Sequence, residues 1–291
     1  MTETEPASEQ GQEQRRFKPH LYHLYPILFS FLVTGILGYP IFLARITAPP
    51  VTIFPDTPTG AGLNALVFIA TLTVSATGML LLVRRRKKRA LQGLVKAGLI
   101  LMSFVVALWY GSSIAYILSS PVSDAEILIV SIGIAAVLSV LVYGKNKVLQ
   151  AFGVTAVGAG TGLFLGASIP FLTSLVILAA LVVYDTVSVF RGPIGALARN
   201  VEVGDLTGAV FNYRDLTIGM GDIVFYSLVE TVALLKFGIA PFLGAGVGVI
   251  TGAYLGFRAL SRYQVFPGLP FALLLGAGGM LAVALALGLP I

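Results

Sequence analysis

Apolar residues run through this chain in long uninterrupted stretches, with no period of two or of 3.6 that would leave one face polar. Such stretches predict helices that are hydrophobic all round. Roughly 20 apolar residues in a helix cross a hydrocarbon core. By that measure nine segments qualify: 24–44, 62–83, 97–119, 125–143, 148–167, 171–190, 217–236, 239–257 and 267–289. The fifth and sixth meet tightly at 168–170, the one junction that also reads as a re-entrant pair. The expected fold is an all-α polytopic membrane protein of about nine transmembrane helices. Residues 1–19 hold Glu3, Glu5, Glu9 and Glu13 followed by Arg15, Arg16 and Lys18. They bury nothing and read as a disordered tail, not as a cleaved signal peptide. Five spans then fill 20–170 and four fill 171–291, with a loop at 191–216 between the sixth and seventh.

Composition agrees with this pattern. Only 11% of the residues are charged and 57% are hydrophobic, whereas a soluble domain carries about a quarter charged residues. Cysteine is absent, which excludes disulfide scaffolds and thiol chemistry. The charge distribution sets an orientation. With the N-terminus placed in the cytoplasm, 17 of the 19 basic residues fall inside, and only Arg45 and Lys236 fall outside. This obeys the positive-inside rule and puts the C-terminus on the extracytoplasmic side. The run at 84–89 is then a stop-transfer segment touching lipid headgroups, and nucleic acid is not needed as a partner. Glycines at 158, 162 and 166 and at 244, 248, 252 and 256 recur every fourth residue. They predict close helix packing in the fifth and eighth spans.

Ten of the 13 acidic residues are peripheral; Asp185, Asp222 and Glu230 lie at membrane depth. Ionisable groups there are functional candidates by default. Asp185 lies six residues before Arg191 and Asp222 seven after Asp215, which puts both roughly 9–10 Å below the cytoplasmic surface. Two aspartates at one depth on antiparallel neighbours suit an aspartic-protease pair sharing one proton. A structural contact or an ion-coupling site in a transporter fits depth alone equally well. Glu230 lies roughly 12 Å further along its helix, too far to join the pair.

Three segments narrow the choice: Tyr184-Asp185, Gly219-Met220-Gly221-Asp222 and Pro267-Gly268-Leu269-Pro270. In this order, on the sixth, seventh and ninth spans, they resemble the presenilin / signal peptide peptidase family of intramembrane aspartyl proteases, most closely its compact archaeal homologues. The resemblance is strongest from about residue 171 onward, while the first five spans match only in number, length and orientation. It implies a catalytic pair of Asp185 and Asp222, supported by Tyr184, Gly219, Met220 and Gly221, with 267–270 positioning substrate. Where the family usually has Pro-Ala-Leu, this chain has Gly268 in the middle. The resemblance further implies transmembrane helices of other proteins as substrates, a lipid bilayer around the enzyme, and a prokaryotic cytoplasmic membrane. It implies no cofactor. A substrate helix would unwind and pair as a strand with an enzyme edge such as 208–213, although a plain solvated loop is the first expectation there. Self-cleavage is not carried over, because the loop at 191–216 is short, and nothing in the sequence calls for an accessory subunit.

Other intramembrane chemistries lack their residues. The two histidines, His20 and His23, sit at the start of the first span, so neither a zinc enzyme nor a serine–histidine enzyme has its ligand or base. The remaining competitor is a proton- or cation-coupled transporter using the three intramembrane acids, against which an odd number of spans counts mildly.

Overall fold

The computed structural model describes residues 18–191, 207–263 and 266–290. Among them are nine α-helices. A short 3-10 turn, Leu21–Leu24, leads into α1 (Tyr25–Ala44). There follow α2 (Pro58–Arg84), α3 (Lys88–Ile117), α4 (Asp124–Tyr143), α5 (Lys147–Ser168) and α6 (Phe171–Arg191). Strands β1 (Val210–Tyr213) and β2 (Leu216–Gly219) precede α7 (Met220–Phe237), α8 (Ile239–Leu260) and α9 (Leu269–Ala286). Eight helices are long and apolar enough to cross a membrane. The ninth, α7, carries Asp222, Glu230 and Lys236 within its 18 residues.

Polar caps set the helix starts by accepting the otherwise unpaired first N–H groups. The Thr57 hydroxyl accepts from Gly60 N–H before α2. Ser123 and Glu126 form a reciprocal capping box on α4. Asn146 Oδ1 accepts from Val148 and Leu149 N–H on α5. For α6 the cap comes from a distance: the Asp56 carboxylate accepts from the N–H groups of Leu172 and Thr173 and from the Thr173 hydroxyl.

Several boundaries differ from the apolar runs by a few residues, and two of them are informative. Helix α3 starts at Lys88, nine residues before the predicted span, because the lysine, arginine, leucine and glutamine there are good helix formers and extend the helix beyond the apolar segment. Only a turn around Arg86, with φ of 55°, separates α2 from α3. The predicted seventh span begins at 217, but 217–219 belong to β2 and the helix starts at Met220. The predicted tail lies almost wholly outside the described residues, as does much of the 191–216 loop.

The part of that loop which is described is ordered. Val210 to Tyr213 pair antiparallel with Gly219 to Leu216. Phe211, Leu216 and Ile218 are buried, so the hairpin is seated in the bundle by apolar side chains, and the expectation of a solvated loop does not hold at 208–213.

Helix α7 is the centre of the bundle. Every residue from Ile223 to Leu234 is buried, as a helix apolar on all faces requires. It packs against α1, α5, α8 and α9. The glycines of α5 make one seam: a Cβ on Gly158 would meet Ile223, one on Gly162 the Val224 carbonyl and Ser227, and one on Gly166 Thr231. The α8 glycines make another. Side chains at Gly244, Gly248 and Gly252 would run into the backbone of α9 at Gly279, Leu275 and Phe271. Gly256, fourth in that series, has nothing within 4 Å and is not part of the seam.

Candidate active site

Helices α6, α7 and α9 converge where the three sequence segments lie. Asp185 is on α6 and only 8% exposed. Its Oδ2 accepts the backbone N–H of Leu269 at 3.0 Å, at the first turn of α9, where an unpaired donor and the helix dipole both favour an anionic partner. Asp222 is in the first turn of α7, half-buried, and within electrostatic reach of Asp185. The preceding residue of α9's entry, Gly268, faces it: a Cβ placed there would sit 3.1 Å from Asp222 Oδ2. One dipeptide, Gly268-Leu269, therefore adjoins both carboxyl groups, bonded to Asp185 and leaving no free space for a side chain beside Asp222.

Tyr226 completes this arrangement. One helical turn after Asp222, it donates its hydroxyl to the Gly268 carbonyl at 3.0 Å. It was not among the residues singled out from sequence, although the four-residue spacing from Asp222 places both on one helix face. Tyr184, which was singled out, has a buried hydroxyl without a hydrogen-bond partner. Met220 packs toward α5 at Gly158. Gly219 lies beside the Asp222 carboxyl, 3.4 Å from its ideal Cβ, while Gly221 is exposed with nothing within 4 Å of where a side chain would stand. Openness at Gly221 leaves room for another backbone beside Asp222.

Asp222, Tyr226, Pro267 and Gly268 line one wall of a cavity of about 110 Å³; β2, Ile27 and Phe257 line the others. A larger cavity, about 590 Å³, lies at the opposite end of α7 against Arg45 and Lys236, away from the paired aspartates. Among the described residues no group of three or more histidine, cysteine or acidic side chains is placed to hold a metal ion.

Glu230 is separate from the pair. It has zero exposure, faces Thr34 of α1, and neither carboxyl oxygen makes a hydrogen bond of acceptable geometry. A buried unpaired polar group costs about 1–3 kcal/mol. Glu230→Leu, close in volume, is expected to raise the unfolding midpoint in detergent; a lower midpoint would show that the carboxyl is satisfied and stabilising.

The fold has counterparts among known proteins. The family described as signal-peptide peptidase, presenilin aspartyl protease matches residues 54–207. That segment runs from α2 through α6 and includes Asp185 but stops before Asp222, so the family's mark extends well upstream of the motifs that first carried the resemblance. No curated protein matches the chain. Among solved structures, a presenilin family intramembrane aspartate protease in a C222 space group aligns with a TM-score of 0.63 at 20% identity, over 91% of this chain and 99% of that one. A presenilin family intramembrane aspartate protease in a P2 space group aligns with a TM-score of 0.60 at 22% identity, over 94% and 98%. At such identities these structures speak for the fold, and the family match speaks for descent. This multi-pass membrane protein belongs to the signal-peptide peptidase and presenilin family of intramembrane aspartyl proteases.

Proposed function

We propose that Asp185 and Asp222 act as one shared-proton pair that hydrolyses peptide bonds inside transmembrane segments of other membrane proteins. The observation that carries this is the Gly268-Leu269 dipeptide, bonded to Asp185 and set beside Asp222, with the two carboxyl groups within electrostatic reach of each other. Two carboxyl groups within electrostatic reach of each other in a site of low dielectric hold one proton between them. The ionised member takes a proton from a water molecule as the water oxygen attacks the scissile carbonyl carbon. The protonated member donates to the carbonyl oxygen, giving a gem-diol. Proton transfer to the amide nitrogen then breaks the C–N bond and leaves a carboxyl and an amine.

The remaining residues position the pair and its substrate. Leu269 N–H orients the Asp185 carboxyl, and the Tyr226 hydroxyl fixes Gly268. Gly219 and the open side of Gly221 give an unwound substrate backbone access to Asp222, and the β1–β2 hairpin offers it strand pairing. Pro270 stands in the first turn of α9, where a missing N–H is tolerated, and Pro267 leads the chain into that turn next to the pair. Tyr184 and Met220 support the two helix ends by packing. With the N-terminus cytoplasmic the pair lies near the cytoplasmic face, and substrates have their N-termini outside.

Three outcomes test this reading. Purified protein in liposomes cleaves a designed transmembrane helix, with product masses placing the cut inside the apolar segment. No cleavage, together with ion-driven uptake that depends on the aspartates, would establish the transporter instead. Tyr226→Phe lowers kcat roughly fivefold, the equivalent of about 1 kcal/mol for one hydrogen bond; an unchanged kcat would remove the tyrosine from the site. Activity peaks on the acidic side of neutral, because one proton must stay on the pair, and a maximum well above about pH 8 contradicts shared-proton chemistry.

A further inference from the structure

The β1–β2 hairpin delivers the chain directly into Asp222, and its two-residue turn, Arg214-Asp215, has the wrong local chemistry. Arg214 adopts φ of 57°, a left-handed conformation that glycine or asparagine fills readily and arginine does not. Such a conformation persists where surrounding contacts over-determine it. Those contacts come from the segment leading into α1, nearly 200 residues away in sequence. The Arg214 guanidinium sits over the Tyr22 ring, 4.2 Å from its centroid. His23 Nε2 lies 2.7 Å from Asp215 Oδ1.

The His23 bond has a defined polarity. The His20 backbone N–H donates to His23 Nδ1 at 3.0 Å, so Nδ1 is the acceptor nitrogen and the ring hydrogen is on Nε2, pointing at Asp215. The His23 bond holds the Asp215 carboxyl below the usual carboxylate range, so it is charged at neutral pH and accepts. His23 itself has zero exposure, its ring tilted against Tyr22 at 4.3 Å and edge-on to Phe257. One turn later on α1, Ile27 lines the same cavity as Asp222.

We propose that His23 and Asp215 form a latch that holds the hairpin turn in its strained shape and thereby sets the position of β2 and of Asp222. This makes His23 and Asp215 positioning residues for the cleavage proposed above, on which the catalytic part of the inference rests. The hairpin is tied at both ends: the Met220 N–H donates to the Ala209 carbonyl at the base, and the latch ties the turn. With the turn released, β2 keeps its buried Leu216 and Ile218 but loses the fixed register that aims its last residue at the pair.

The experiment compares His23→Leu, His23→Gln, Asp215→Ala and the double variant His23→Leu/Asp215→Ala with wild type and Asp222→Asn. Two readouts are used: cleavage of a designed transmembrane helix, and hydrogen exchange of the amides in 210–219. Asp215 is 53% exposed, so Asp215→Ala folds even if His23→Leu does not. Glutamine carries an N–H where His23 has Nε2 and keeps the bond. Expected are a fall in kcat on the order of tenfold for His23→Leu and for Asp215→Ala, no further fall in the double variant, a KM near wild type, and a rate near wild type for His23→Gln. Amide exchange in β2 speeds up in the variants that lose activity. The proposal is overturned if Asp215→Ala keeps wild-type kcat and exchange, if the two single effects multiply, or if His23→Gln is as impaired as His23→Leu. Failure of wild type itself to cleave removes the catalytic reading and the positioning role with it, while exchange still decides whether the latch orders the hairpin.

Discussion

Gly248→Ala destabilises the protein by about 1–3 kcal/mol, the range seen when a methyl group is forced into a closed packing site. The alanine methyl would overlap the Leu275 carbonyl and approach Gly276 N at 2.8 Å. Its obstacle is backbone, which has no rotamer to escape into, so α8 and α9 must separate. Membrane helices associate through such close approach, since lipid is as apolar as the side chains it replaces. Separation also moves the first turn of α9, taking Leu269 N–H from Asp185, so cleavage falls with stability. Gly256→Ala is the control on the same helix. Nothing lies within 4 Å of its Cβ position, and alanine is the better helix former by about 1 kcal/mol. Thermal unfolding in detergent should place Gly248→Ala well below wild type and Gly256→Ala at or above it. Equal midpoints would show that the glycine seam does not hold the two helices together.

Asp185→Asn and Asp222→Asn each lower cleavage by roughly a thousandfold or more, as removal of any member of a catalytic unit does. Asparagine keeps the shape and the acceptor oxygen, so the Leu269 bond and the packing survive, but it neither ionises nor shares a proton. Glu230→Leu, in contrast, leaves cleavage near wild type. The sequence puts all three acids at membrane depth, and the expectation separates them by their surroundings: Asp185 and Asp222 adjoin the Gly268-Leu269 dipeptide, while Glu230 faces Thr34 two turns further along α7. A Glu230 variant as inactive as the aspartate variants would mean that membrane depth, and not the dipeptide bridge, identifies the working acids.

Helix number and the shared depth expected for the two aspartates were legible in the chain for one reason. Bilayer thickness fixes span length, so apolar runs give both the count and the depth of each acid within a turn. Helix ends were less so, because Lys88 to Lys96 continue a helix that hydropathy ends at 97. Of the hairpin at 210–219 only one strand was glimpsed, as an edge at 208–213, while 217–219 was read as helix. Its strands are four residues each, and its turn takes its shape from Tyr22 and His23, contacts that no local pattern announces. Similarly, His23 was read only for what it could not do as a zinc ligand or a base. The α5 glycines all lie in the predicted seam, but Gly256 does not, since four-residue spacing keeps a residue on one face without saying where the neighbouring helix ends. Tyr226 and Gly268 show the same limit: their sequence positions were plain, but the bond that joins them crosses 42 residues.

Single-turnover cleavage of a designed transmembrane helix by wild type, Asp185→Asn, Asp222→Asn and the double variant tests the central claim most directly. If the two carboxyl groups work as one unit, wild type cuts within the apolar segment, each single variant is at background, and the double variant is no slower than either. A single variant that keeps the wild-type rate would contradict the account.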